Sequence, residues 1–289
     1  MSGFSLDWLR LRAPFDLAAR NGRLATDFVA ALPRTRPLHL VDLGAGTGGN
    51  ARALAPVIGG DQVWHLFDDD PALLAGQGPE HSAWTARAGY AARDEATSGV
   101  LIEAAGARWC LHPRRLDLRD GIDAALAGPC DGVTMAAFAD LVGARWLGRL
   151  AAIAAERRLP LLSVLAVDGR REWRPAAPED GIVCAAFAAH QRRDKGFGPA
   201  LGPEAPRQLA ASLAAQGFAV TTAQSDWHIG PGDRAMLQAL IAAEAEAATA
   251  AAPDAAPAIA RWRARRQSEI AAGVLTVIIG HCDVLALPR

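Results

Sequence analysis

Leu6, Leu9, Phe15, Leu17, Leu24, Phe28 and Leu32 recur at roughly helical spacing, so residues 5–32 are expected to form an amphipathic helix interrupted by Pro14. The period then changes. Leu38–Leu43 is a short apolar run that reads as a strand; it ends in a glycine-rich segment at 44–49, and 50–58 continues as a helix. A second strand is expected at 62–67, closed by Asp68-Asp69-Asp70-Pro71 and a short helix. Residues 76–106, rich in glycine, alanine and charge, predict a loop and then a helix over 91–105.

Further along, strands are expected at 107–116, 132–137, 159–167, 218–223 and 274–285, with helices at 141–155 and 203–216. The stretch 168–202 is less regular and predicts a helix at 179–193. Helices at 233–250 and 255–272 are separated by Pro253 and Pro257. Strands alternating with helices predict an α/β fold, a doubly wound, mostly parallel sheet of seven strands. The last strands lack a helix docked in the usual way, which suits an antiparallel edge strand at the C-terminus.

Composition narrows the class. Of 289 residues, 51% are hydrophobic and 21% charged, enough for a sizeable core. Thirty basic residues balance 31 acidic ones to a net charge of -1, which provides no general field for nucleic acid or an anionic membrane. Cys110, Cys130, Cys184 and Cys282 are scattered without a C-x-x-C pair, as expected of reduced thiols in a cytoplasm. Charges at Asp7, Arg10, Arg12, Asp16 and Arg20 break up the first 36 residues, so an ordinary signal peptide is not expected. The best apolar runs, 159–167 and 274–280, are far shorter than the roughly 20 residues that span a bilayer.

Gly44-Ala45-Gly46-Thr47-Gly48-Gly49 fits G-x-G-x-x-G and lies between a strand and a helix, where glycines allow a tight turn and close approach of backbone to a ligand. A dinucleotide fold would place a pyrophosphate there. Asp42, two residues before the first glycine, would repel a pyrophosphate and suits a cationic amine. S-adenosylmethionine (SAM) carries an amine and a sulfonium and no phosphate, so the electrostatics favour it. Asp68 lies about 20 residues past the loop, where an acid accepts both hydroxyls of a ribose; that position serves NAD and SAM equally. Asp69 stands beside it, and Asp70-Pro71 reads as a helix start. Asp117 is placed to accept from an adenine amino group with Leu118 against the ring, or to be a solvated turn residue.

Val41-Asp42-Leu43-Gly44-Ala45-Gly46-Thr47-Gly48, then Phe67-Asp68-Asp69-Asp70-Pro71, then Leu116-Asp117-Leu118, resemble in order and spacing the class I, Rossmann-like SAM-dependent methyltransferases. The resemblance covers about 38–167 well and the rest more loosely. It implies SAM as methyl donor and a sheet of order 3-2-1-4-5-7-6 with the last strand antiparallel. It also implies cofactor roles for Asp42, Gly44, Ala45, Gly46, Thr47, Asp68, Asp69, Asp117 and Leu118. The expected organisation is a single domain over 1–289: a helical cap at 1–36, a SAM-binding half at 37–167, and a C-terminal half at 168–289 with helical insertions at 168–202 and 227–272.

The acceptor side is less clearly marked. The fourth strand delivers Thr134, Ala137, Phe138 and Asp140 to the carboxyl edge of the sheet, where ligands bind in open α/β folds. The segment Ala136-Ala137-Phe138-Ala139-Asp140-Leu141 lacks the Asn/Asp-Pro-Pro-Tyr/Phe motif of amino-methylating DNA and release-factor enzymes. Pro129-Cys130 precedes the strand, at the wrong end for a cytosine-C5 nucleophile, so Cys130 is read as structural. Candidate bases are Asp140, His190, His228 and His281, each histidine having a structural role as its alternative. Candidate substrate contacts are Phe138, Asp140, His190 and Lys195. Lys195 is the only lysine among the 30 basic residues, which suggests that a compact ammonium is wanted there.

Trp8, Arg12, Asp16 and Arg20 share a helix face; the resemblance implies a helix that closes over SAM here, with Arg20 meeting its carboxylate, and surface ion pairs are the alternative. Arg261, Arg263, Arg265 and Arg266 surround Trp262, but the neutral total argues against a nucleic-acid face. No metal site is expected. The sequence thus predicts methyl transfer from SAM to O or N of a small-molecule acceptor, mainly by proximity and orientation. Two alternatives are an NAD(P)-dependent Rossmann oxidoreductase, for which no Lys, Tyr or His constellation is recognisable, and a non-catalytic SAM-binding partner subunit.

Overall fold

The computed structural model describes residues 5–94, 99–104 and 106–289. The N-terminal segment forms two helices, α1 (Leu6–Ala19) and α2 (Gly22–Ala31). Pro14 is exposed inside α1, and the break falls at Arg20-Asn21, where the Asn21 side chain accepts from the Leu24 N–H at 3.1 Å and starts a new helix. There follow β1 (Leu38–Leu43), α3 (Gly49–Ile58), β2 (Gln62–Asp68), α4 (Pro71–Ala88), β3 (Ala91–Asp94), β4 (Val100–Ala104), β5 (Ala107–Arg115), α5 (Leu118–Ala125), β6 (Gly132–Ala136) and α6 (Ala144–Glu156). The C-terminal part comprises β7 (Leu161–Arg174), α7 (Asp180–Gln191), α8 (Ala205–Ala215), β8 (Phe218–Gln224), β9 (Trp227–Ile229), α9 (Arg234–Ala251), α10 (Ala256–Ala272) and β10 (Thr276–Pro288).

The fold is α/β, but the sheet has ten strands rather than the expected seven, in the order β3-β4-β5-β2-β1-β6-β7-β10-β8 with β9 paired to β10. The central strands β5, β2, β1, β6 and β7 are parallel, and β10 runs antiparallel between β7 and β8. It is therefore an interior strand, not the edge. The three unforeseen strands are β3, β4 and β9. Where a helix was expected over 91–105, β3 and β4 form an antiparallel pair added to β5; 95–98 and 105 lie outside the described residues. Val100, Leu101 and Ile102 are buried against the sheet, and this tertiary contact overrides the alanine content that suggested a helix. The fifth strand runs on to Arg174 instead of ending at 167. Its charged extension is carried by β10, which pairs with it as far as Arg174↔Thr276.

Two cores sandwich the sheet. Leu24 and Phe28 of α2 and Leu54 and Ile58 of α3 pack on one face. Ile122 of α5, Leu147 and Leu150 of α6 and Leu209 of α8 pack on the other. A third core joins Val183, Leu237, Ile241 and Trp262 of α7, α9 and α10 to Trp173, Trp227 and Val277 on the upper parts of β7, β9 and β10. Helix α1 flanks the carboxyl edge of β1, with Leu9 against Gly46, and also touches α9 of this helical body. Among the described residues no helix is long and apolar enough to cross a membrane, and no cluster of His, Cys, Asp and Glu could hold a metal ion.

Candidate functional site

Between β1 and α3 the chain turns through Gly44, Gly46 and Gly48, all at positive φ (68°, 53° and 77°). Packing also demands glycine at two of them. A Cβ on Gly44 would lie 2.4 Å from Cδ2 of Phe138, and one on Gly48 would lie 2.7 Å from Cε1 of His81. The Phe138 ring thus lies across the start of the loop, and His81 of α4 packs behind its end. Ala45 and Thr47 are buried. Gln77 and Arg52 donate to the carbonyls of Gly46 (2.8 Å) and Thr47 (2.5 Å) and fix the loop from behind.

Asp42, buried at the end of β1, is the centre of a polar chain. Its Oδ1 accepts from Asn50 Nδ2 and from Thr134 Oγ1, both at 2.6 Å, and Asn50 Oδ1 accepts from Arg20 Nη1 at 2.8 Å. Asp42 Oδ2 is buried and has no hydrogen-bond partner among the described residues; the same holds for Arg20 Nε. Burial pushes the Asp42 carboxyl up to about 6, against the opposing pull of Thr134, Asn50 and Arg20. Burial likewise lowers the pKa of Arg20, against the opposing pull of Asp16, Asp283 and Asp42. The sequence had not singled out Asn50; its place in the first turn of α3, facing the strand end that carries Asp42, was the available signal.

Asp68 closes β2 half-buried. One oxygen accepts the Gly46 N–H at 2.8 Å and the other the Asp70 N–H at 3.0 Å. Burial raises its pKa, while these backbone N–H groups oppose the rise. A second carboxylate therefore already occupies an amide that a phosphate would need. Asp70 caps α4, accepting from Ala72 N at 2.8 Å. Asp69 lies 3.8 Å from Arg119 and 3.9 Å from Arg115.

Two expected adenine contacts are otherwise engaged. Asp117 caps α5 and is ion-paired to Arg119, whose Nε lies 2.7 Å and 2.8 Å from its two oxygens; the hydrogen bonds of Arg119 hold its pKa down. Leu118 is a core residue at 4% exposure, with its carbonyl taken by Trp146 Nε1.

On the acceptor side, Phe138, Trp146 and Phe197 form an edge-to-face trio with centroids 5.4–5.9 Å apart. Phe197 belongs to the 192–200 loop, which also abuts α5: a Cβ on Gly196 would lie 2.7 Å from Arg119 Cδ. The loop therefore runs along the carboxyl edge past Asp140, and it brings Lys195 within electrostatic reach of that residue. Helix α1 crosses the other side, with Leu9 against Gly46 and Leu6 against Gly76 of α4. From it, Arg12 is clamped by Asp16 (2.9 and 3.0 Å) and stacked 4.9 Å over Trp227. The ion pairs expected of a surface helix are here partly buried in the closure.

The histidines separate. His190, half-buried at the end of α7, has its pKa lowered by burial and by Arg193 and Lys195. His281 is buried on β10, 4.8 Å from the Trp227 ring, with Nδ1 donating to the Ile279 carbonyl; burial, Arg12 and Arg171 push it down to about 3. His228 is exposed on β9. In the basic cluster, Arg266 is buried, bonded to Asp180, Glu269 and the Pro175 carbonyl, while Arg261 and Arg265 pair with Glu179. Cys130, half-buried, directs its thiol to the Gly132 carbonyl, and burial raises it to about 11.

No protein-family model matches the chain, and no curated protein does. Solved structures do resemble it in fold. A cyclopropane-fatty-acyl-phospholipid synthase-like protein from Lactobacillus casei is 15% identical at TM-score 0.46, over 99% of this chain and 95% of its own. Cyclopropane synthase MmaA2 from Mycobacterium tuberculosis is 13% identical at TM-score 0.45, over 99% and 87%. A SAM-dependent methyltransferase from Geobacter sulfurreducens, solved with S-adenosylhomocysteine, is 15% identical at TM-score 0.42, over all of both chains. Structures similar to this one thus include SAM-dependent methyltransferases.

Proposed function

We propose that this chain is a SAM-dependent methyltransferase that transfers a methyl group to oxygen or nitrogen of a small-molecule acceptor. The observation that carries the reading is Asp42: one carboxylate oxygen is saturated by Asn50 and Thr134, and the other is buried beside the glycine loop without a partner among the described residues. A buried unpaired carboxylate oxygen is costly, and a cationic amine would satisfy it. A pyrophosphate would meet Asp42 and Asp68 together, so the residues fit SAM and disfavour a nicotinamide dinucleotide.

Asp42 Oδ2 would take the amino group and Arg20 Nε the carboxylate of the cofactor. Each Asp68 oxygen accepts one backbone N–H in a strong bond and keeps acceptor capacity for a ribose hydroxyl. Asp117 would reach an adenine amine only by giving up part of its pairing with Arg119. When bound, SAM supplies an electrophilic methyl group on a sulfonium. Phe138 and the Phe197 loop exclude water from the edge where the acceptor must approach, and orientation supplies much of the rate. The four free thiols suit a reducing cytoplasm.

A thermal-shift panel tests the reading. S-adenosylhomocysteine is expected to raise the melting temperature and NADH and NADPH to leave it unchanged; the reverse pattern would overturn the assignment.

A further inference from the structure

Asp140 and Lys195 are opposite charges on two segments that pack together through Phe138 and Phe197, and among the described residues they are not ion-paired. Asp140 is 8% exposed, and its Oδ1 is buried with no hydrogen-bond partner among the described residues. Lys195, half-buried, spends one donor on the Gln191 carbonyl at 2.9 Å. Each is in the other's field, yet among the described residues neither makes an ion pair. Arg12, the other cation in reach of Asp140, is already held by Asp16. A buried carboxylate oxygen with no hydrogen-bond partner is poorly satisfied unless a ligand supplies a donor. Asp140 lies two residues past Phe138, whose ring rests on Gly44, and the loop that carries Lys195 packs Phe197 against the same ring at 5.7 Å, so both segments adjoin the cofactor loop.

We propose that Asp140 and Lys195 together hold the methyl acceptor, and that the acceptor is a small carboxylate bearing an amine or hydroxyl nearby. Lys195 neutralises the carboxylate, and Asp140 accepts the nucleophile's hydrogen bond. This rests on the methyltransferase reading. As the new bond from nitrogen or oxygen to the methyl carbon forms, the carbon–sulfur bond breaks and its electron pair stays on sulfur, giving S-adenosylhomocysteine. The proton of the nucleophile passes to Asp140 and from there to solvent. A neutral amine or alcohol without an anionic group would leave the Lys195 charge uncompensated.

The uniqueness of Lys195 makes the test direct, because protein labelled with ε-13C lysine gives one lysine signal. Calorimetry first measures S-adenosylhomocysteine binding; its absence would remove the broader reading and this proposal with it. The loaded protein is then titrated with glycolate, glycine, salicylate and anthranilate, and with the amide of each. At least one carboxylate is expected to shift the Lys195 signal saturably while its amide does not. A signal that no carboxylate moves, or that amides move equally, overturns the proposal even where S-adenosylhomocysteine binds.

With the carboxylate that binds, Asp140→Asn is expected to lower labelled-methyl transfer from SAM by about 100-fold or more, within the usual range for a lost general base. Lys195→Met should raise KM, and Lys195→Arg restore it partly. Asp140→Asn and Lys195→Met should each bind S-adenosylhomocysteine as the parent does, which separates these roles from loss of fold. Unchanged kinetics in both would overturn the proposal.

Discussion

The carboxamide of Asn50 donates to Asp42 Oδ1 at 2.6 Å while its oxygen accepts from Arg20 at 2.8 Å, so an acid and a base of the candidate cofactor site are coupled through one neutral side chain. Asn50→Leu would sever both bonds. Asp42 would keep Thr134 alone, and Arg20 would lose the partner that orients it. We expect a loss of about 1–3 kcal/mol, as for a buried polar group left unsatisfied, read from urea unfolding. S-adenosylhomocysteine affinity should fall about tenfold or more, read by calorimetry.

The raised pKa of Asp42, about 6, gives a pH signature. A carboxyl that binds its proton more tightly when folded stabilises the protein fully below its unfolded pKa, and this contribution is lost as pH rises through about 6. The slope should be confined to roughly pH 4–6 and amount to about 3 kcal/mol at most. Asp42→Asn should abolish it. A bound amine favours the carboxylate, so S-adenosylhomocysteine affinity should increase from pH 5 to 7 in the parent and not in Asp42→Asn. Urea unfolding and calorimetry across that range check both.

Gly44 is constrained twice, by a φ of 68° and by Phe138. Gly44→Ala should therefore cost more than the about 1 kcal/mol of left-handed backbone strain alone. Phe138→Leu in the same chain tests the source of the excess: it frees space above the loop and should recover part of the loss. Melting temperatures of the two single variants and the double variant complete the cycle, in which non-additivity is the expected result.

Much of the cofactor half was legible because its determinants are local. An apolar run, a glycine turn and a strand-end acid are each read within a few residues, and the structure brings Asp42, Gly44, Gly46 and Asp68 together. The pairing of Asp117 was not legible, because Arg119 is only two residues away and yet is recognisable as its partner only once α5 forms. The charged extension of β7 looked like a loop because its pairing comes from β10, more than 100 residues on. In 91–94 and 100–104 the alanine-rich helix pattern lost to a free edge of β5 that the sequence could not reveal. Arg266 looked like one of four surface arginines; its burial depends on Asp180, 86 residues distant.

That burial supports the last prediction. Arg266 is fully buried, bonded to Asp180, Glu269 and the Pro175 carbonyl, with its guanidinium 5.3 Å from the Trp173 ring. Removing it strands two carboxylates in the helical body. Arg266→Ala should cost about 3–5 kcal/mol, the usual penalty for breaking a buried pair on one side. Arg266→Met keeps the stem and its packing but not the charge, so it should recover only the packing share. If Asp180→Asn and Glu269→Gln are then added to Arg266→Met, the uncompensated charge disappears and stability should return most of the way. Urea unfolding of these three variants separates a structural arginine from a nucleic-acid contact, whose loss would leave stability unchanged.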